Sequence, residues 1–176
     1  IAFSDLAGNA GTPVTSSTDS SAVTFDKTVP TLSSVVIASN NSTPTIAKEG
    51  DVITLTMTAS EAISTPMINL QVGGIAIADA SITYVDTSGS AGTAWTAAYT
   101  TAAGDTGGAV TYSIAFSDLV GNAGTAVTTS TDSSDVTFDK TAPTLPIVSL
   151  LSSSSAYSYA KEGTDITISM LASEAI

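Results

Sequence analysis

Apolar and hydroxyl side chains alternate along much of this chain with a period of two. Ile53, Leu55, Met57 and Ala59 are separated by Thr54, Thr56 and Thr58, so every second side chain falls on one face of an extended segment. The pattern recurs at Ile68, Leu70 and Val72, at Trp95, Ala97 and Tyr99, and at Val110, Tyr112, Ile114 and Phe116. Val35 with Ile37, the segment Ser81 to Val85, and Val136 with Phe138 bring the expected strands to seven. Turn chemistry separates them: KEGD from Lys48, VGG from Val72, TSGSAG from Thr87, AAGDTGG from Ala102 and LVGNAG from Leu119. No stretch of useful length has helical periodicity. The longest charge-free runs contain Pro66, Asn69, Gln71 and paired glycines, so no membrane-spanning segment is expected. Ile1 already stands inside a strand pattern, which leaves no signal peptide to read.

The pattern repeats on a larger scale. IAFSDLAGNAG from Ile1 returns at Ile114 as IAFSDLVGNAG, and the two copies run in register without a gap to Ile63 and Ile176. About two thirds of the 63 aligned pairs are identical, at an offset of 113 residues. That period is too long for a solenoid unit and matches one autonomous β-sandwich. The segments FDKTVPT (Phe25 to Thr31) and FDKTAPT (Phe138 to Thr144) each follow a strand pattern with a proline that cannot extend a ladder, and read as linkers. The expected organisation is residues 1–28 as the C-terminal part of one repeat, 29–141 as a complete repeat, and 142–176 as the N-terminal part of a third. The expected fold is all-β, a seven-stranded Ig-like Greek-key β-sandwich in tandem. Both ends fall within strand patterns, which predicts a window on a longer repetitive chain.

Composition removes several chemistries. Among 176 residues there are 16 Asp plus Glu, 4 Lys plus Arg, no Cys and no His, for a net charge of −12. Disulfides, thiolate metal sites and imidazole-dependent catalysis are therefore out, and so is a basic face for nucleic acid. Only 11% of the residues are charged and 43% are hydrophobic, which suits a packed β core rather than disorder.

The order DKTxPT, KEGD, TASEAI, WTAxYT, VTYSIAFSDLxGNAG and again DKTAPT resembles the bacterial Ig-like repeats of very large surface adhesins and biofilm-associated proteins. The resemblance covers the whole chain, and the pairing of SDLxGN with FDKTxPT is its most specific part. It implies an extracellular stalk, secreted or held at the bacterial cell surface, in which calcium often stiffens the junctions between repeats.

Topology gives the acids a geometric reading. In an antiparallel sandwich of this order the turns after the second and sixth strands face the incoming linker. Glu61 of SEAI, and Asp118 with Asn122 of SDLVGN, then lie near Asp26. Three carboxylates and an amide oxygen form the hard-oxygen set that Ca²⁺ prefers. Asp139 and Glu174 hold the corresponding positions one repeat later. The far end of each unit should carry Glu49, Asp51 and Asp105, so that stacking brings two acidic ends together and a cation would turn their repulsion into a rigid joint. The competing reading makes Asp118 and Asn122 turn caps and Glu61 and Asp26 solvated surface charge.

Other motifs weigh less. Trp95 and Tyr99 fit a core better than a carbohydrate platform, and Glu61 with Asp118 lacks the aromatic cleft of a glycosidase. The overlapping sequons at Asn40 and Asn41 read as a polar turn, and that turn diverges between copies, NNSTPTI becoming SSSAYSY. No enzyme is expected. The expected role is a structural extender whose partners are its neighbouring repeats. The alternative is the repeat unit of a self-assembling extracellular fibre or sheath, with lateral contacts through open strand edges or through the Asn40 and Ser153 turns.

Overall fold

The computed structural model describes residues 1–154 and 158–176. Ser155, Ala156 and Tyr157 of the divergent turn lie outside the described residues. The chain is almost entirely β, and nine strands are described in the central repeat where seven were expected; seven of the nine overlap the expected segments. These are β1 (Leu32–Ser39), β3 (Val52–Ala59), β4 (Met67–Val72), β6 (Thr83–Asp86), β7 (Ala94–Thr100), β8 (Gly108–Ala115) and β9 (Thr137–Phe138). Two short strands add to them, β2 (Ile46–Ala47) and β5 (Ile75–Ala76), and a single 3₁₀ turn spans Asp79–Ser81. The third segment contributes β10 (Ile147–Ser152) and β11 (Ile166–Leu171).

The strands of the central repeat form two sheets, in the orders β1-β3-β7-β6 and β2-β9-β8-β4-β5. Every pairing is antiparallel except β2 with β9. The alternating side chains meet between the sheets. Val35, Ile37, Ile53, Leu55 and Met57 face Ile68, Leu70, Val72, Val110, Ile114 and Phe138, all buried. A two-layer β-sandwich results, with its core where the period-two pattern puts the apolar face.

The edge of β1 is closed without a regular strand. Val35 N–H donates to Thr131 Oγ1 at 3.1 Å, Thr131 N–H to Val35 O at 2.8 Å, and Ile37 N–H to Ser134 Oγ at 2.9 Å. Hydroxyls thus take backbone donors that would otherwise invite a foreign strand. This corrects the expectation of an open edge on that side.

The flanking segments lack a partner sheet. Strands β10 and β11 pair over six residues, yet Val148, Leu150, Ile166, Ile168 and Met170 are all exposed. Their counterparts in the central repeat, Val35, Ile37, Ile53, Leu55 and Met57, are at most 2% exposed. The same alternation makes the same hairpin, and only the opposite sheet buries it. Residues 1–28 form no strand; Ser4 and Ala10 bridge within a local loop.

Candidate metal centre

The SDLxGN loop folds around its aspartate. Asp118 Oδ1 accepts backbone N–H groups from Val120 at 3.0 Å, Gly121 at 2.7 Å and Asn122 at 2.8 Å, and Oδ2 accepts Asn122 Nδ2 at 2.7 Å. Asp5 and Asn9 build the same loop in residues 1–28, with bonds from Ala7 N–H at 3.0 Å and from Asn9 N–H and Nδ2 at 2.8 Å. The loop therefore forms with or without a packed neighbour, as an Asx turn does. Asp118 is 3% exposed. Burial pushes its carboxyl up, but the bonds from Asn122, Gly121 and Val120 outweigh burial and hold it below the usual range.

Two further connections bring the other acids to this loop. An isolated bridge joins Ile63 to Asp118, and Ser64 N–H donates to Ser117 O at 3.0 Å, so the SEAI turn after β3 lies against the loop after β8. Thr31 N–H donates to Ser60 Oγ at 3.0 Å and Ser60 N–H to Thr31 O at 2.8 Å, which ties the incoming linker to the same turn. Asn122 Nδ2 also reaches Asp26 O, at 3.4 Å. Asp26, Glu61 and Asp118 consequently each offer a carboxylate oxygen within 4.8 Å of the others'.

Glu61 is the unsatisfied member. Its Oε1 is buried with no hydrogen-bond partner. Burial, then the charges of Asp26 and Asp118, hold its carboxyl above the ordinary value. An orphaned, desolvated carboxylate oxygen beside two further carboxylates is an arrangement that a hard cation completes, since oxygen donors and negative charge are what Ca²⁺ takes. The donors fit such an ion. Glu174, one repeat on, likewise has a buried Oε1 without a partner, and its turn is held to the linker by the same pair of bonds, Thr144 N–H to Ser173 Oγ and Ser173 N–H to Thr144 O. Asp139 caps its linker as Asp26 does, accepting Thr141 N–H at 2.8 Å where Asp26 accepts Thr28 N–H at 2.9 Å.

The far end of the unit is organised differently. Asp51 accepts Lys48 N–H and Asn41 Nδ2, both at 2.8 Å, and closes the KEGD turn. In the next copy Thr164 stands in its place and its Oγ1 accepts Lys161 N–H at 3.1 Å, so a hydroxyl serves where the acid did. Both oxygens of Asp105 accept Tyr99 Oη at 2.9 Å, and Oδ2 accepts Ala102 N–H. Burial first, then this bond to Asp105, pushes the Tyr99 hydroxyl up to about 12. Glu49 is exposed and lines a groove of about 490 Å³ with Lys48, Asp139 and Lys140. Two lysines thus stand among the acids of that end. Among the described residues, Asp26, Glu61 and Asp118 are the one group of three carboxylates that converges.

Position along the chain gave no hint of Lys140. Its Nζ donates to Ala103 O at 3.2 Å and Asp105 O at 2.8 Å, pinning the outgoing linker to the turn after β7. Trp95 packs against the core and donates Nε1 to Gly92 O at 3.1 Å, and Tyr99 is buried, so these two rings serve the core as expected. Comparison of the chain with protein-family models, with curated proteins and with solved structures returns no match.

Proposed function

We propose that this chain is a structural extender, a run of Ig-like Greek-key units in a secreted or surface-held bacterial adhesin, with calcium bracing the junctions between units. One observation carries the reading. The linker acid Asp26 meets Glu61 and Asp118 of the following unit, and the Glu61 oxygen among them has no partner. A cation there would bond the linker to two turns of the unit it enters and so fix the angle between neighbours. Near-identical consecutive units suit a spacer, because each needs only its neighbours. The unit itself carries no catalytic role in this reading; its partners are the repeats before and after it.

The test is a thermal melt of the chain in EDTA and in millimolar Ca²⁺, with the bound ion counted by equilibrium dialysis. Free ion at a hundred times its Kd adds about 2.7 kcal/mol by mass action, a rise of about 10 °C for a unit of this size. Asp26→Asn should remove most of that rise and lower the ion count. An unchanged melt with no bound ion would sink the calcium brace.

A further inference from the structure

Two stretches far apart in sequence close the central unit. The opening stretch, residues 29–63, supplies β1 and β3, and the closing stretch, residues 114–141, returns along the β1 edge. There Thr131 N–H donates to Val35 O, and the hydroxyls of Thr131 and Ser134 accept Val35 and Ile37 N–H. Strand β9 then pairs with β2, Thr137 N–H donating to Thr45 O at 2.9 Å and Asp139 N–H to Ala47 O at 2.8 Å. Ile114, Val136 and Phe138 of the closing stretch share one core with Val35, Ile37 and Met57 of the opening one, each at most 2% exposed.

The chain carries both stretches again, each apart from the other. Residues 1–28 match 114–141 at all but four positions, and residues 142–176, with the β10–β11 hairpin, stand in register with 29–63. Both are already shaped. Ser17 Oγ donates to Ser21 O and Ser21 N–H to Asp19 Oδ1, the same bonds that Ser130, Ser134 and Asp132 make in the central unit. The turn that presents Thr18 and Ser21 is therefore formed before anything covers it. Both stretches are also bare: Ile1, Val23 and Phe25 are 86% to 97% exposed, and the inner side chains of the hairpin stand in solvent.

We propose that residues 1–28 of one copy dock on the β10–β11 hairpin of a second copy, in the register of the central unit. Thr18 then lies on Val148 as Thr131 does on Val35, Ser21 on Leu150 as Ser134 does on Ile37, and Phe25 beside Ala160 as Phe138 beside Ala47. The central unit itself identifies this occupant, because there the matching face is covered by a near-identical segment, through main-chain hydrogen bonds as well as apolar contact. A second copy supplies the segment, since the two stretches leave the central unit from opposite ends. Thr31 ties the first to the turn after β3, and Lys140 pins the second to the turn after β7. Charge opposes the joint no more than it opposes the closed unit, for Ala22 stands where the closing stretch has Asp135.

The strength follows from the parts. Preformed surfaces limit the ordering cost of association. Ile1, Val23, Phe25 and the five inner side chains of the hairpin each lose up to about 100 Å², or about 800 Å² of apolar area, and paired main chain adds to it. The joint brings no counterpart of β4 or β7, so it falls among weak, reversible contacts. It is also heterologous, which lets copies add end on end. Metal takes no part in it.

Sedimentation equilibrium of the 176-residue chain up to about 1 mM, in EDTA and about 0.15 M salt, reads the association. Val23 and Leu150 are exposed, so Val23→Glu and Leu150→Glu leave the central core untouched while each places a charge in one half of the joint. We expect the parent to associate, and each variant alone to do so about tenfold or more weakly. An equimolar mixture should recover the joint and stop at the dimer, because only one intact pair of surfaces remains. Thr167→Glu, on the outward side of the hairpin, should associate like the parent. The chain has no cysteine, so the register is read directly: Thr18→Cys mixed with Val148→Cys should oxidise to a heterodimer, and Thr18→Cys mixed with Thr167→Cys should not. A chain monomeric at the highest concentration overturns the proposal. Val23→Glu associating like the parent would mean contact between hairpins, and Leu150→Glu doing so would mean contact between N-terminal segments; either overturns it. So does a mixture that fails to recover, loss of association in Thr167→Glu, or equal cross-linking at Val148 and Thr167.

Discussion

Glu61 carries a cost in the metal-free chain that a bound cation would offset. Its carboxyl is held above the ordinary value of 4.5 by burial and by Asp26 and Asp118. A raised carboxyl favours folding below its unfolded value and loses that contribution as pH climbs through the folded one. Without metal, the Glu61 contribution to stability should therefore grow as pH falls from 7 toward 4.5, and Glu61→Gln should melt higher than the parent in EDTA at pH 7. In Ca²⁺ the order should reverse, because the amide brings no charge to the cation. Melts of both proteins at pH 5 and pH 7, with and without Ca²⁺, check the crossover; a parent that melts higher in EDTA at pH 7 would contradict it. Asp51 has the opposite sign, since Lys48 N–H and Asn41 hold its carboxyl below 3.8, so its contribution is present above that value and fades as pH falls further. Gly124 marks a purely steric constraint. A Cβ there would stand 2.2 Å from the Phe116 ring, and Gly11 has the same relation to Phe3. Phe116 is 7% exposed and has little room to move, so Gly124→Ala should cost about 2 kcal/mol in denaturant unfolding.

Among the elements, the turns were more legible than the contacts between them. SDLxGN and KEGD fold from their own hydrogen bonds, so their residues announce them: Asp118 collects its neighbours' N–H groups as Asp5 does in a segment without regular strands. The longer strands β1, β3, β4, β7 and β8 were legible for a similar reason, since period-two alternation has one meaning once a core exists. Strands β2 and β5 were not, because two residues carry no period and are defined only by β9 and β4 beside them. The closing of β1 by Thr131 and Ser134 also escaped the pattern, as it uses hydroxyls 96 and 97 residues away. The linker joins both kinds of contact. Phe138 is buried in the unit it leaves, Asp139 N–H donates to Ala47 O, and Lys140 grips Ala103 and Asp105. Lys140→Met should free the exit of the linker while leaving the sandwich intact. The check is hydrogen exchange at Asp139 and Thr141, where a rise on the order of fivefold is expected from the loss of about 1 kcal/mol of hydrogen bonding.

For the molecule as a whole, the repeat is the governing fact, and it cuts both ways. Residues 29–141 close a two-sheet core, while the β10–β11 hairpin, with nearly the same pattern, leaves Val148, Leu150, Ile166 and Ile168 in solvent. Local alternation writes the strand; burial needs an opposing sheet, and that lies far away in sequence. The amino-acid order alone established the β class, the 113-residue period and the concentration of charge outside the strands, because each is a local or periodic property of the chain. It also allowed Asp26, Glu61 and Asp118 to be grouped, since the alternating direction of strands in an antiparallel sandwich decides which turns share an end. Their approach within 4.8 Å, the unpartnered Glu61 oxygen, and the turn-capping bonds of Asp51 and Asp105 came only from the folded chain. Which carboxylate finds a donor and which is left without one depends on distances of a few ångströms between segments separated by up to 92 positions. Spacing along a chain does not encode distances on that scale.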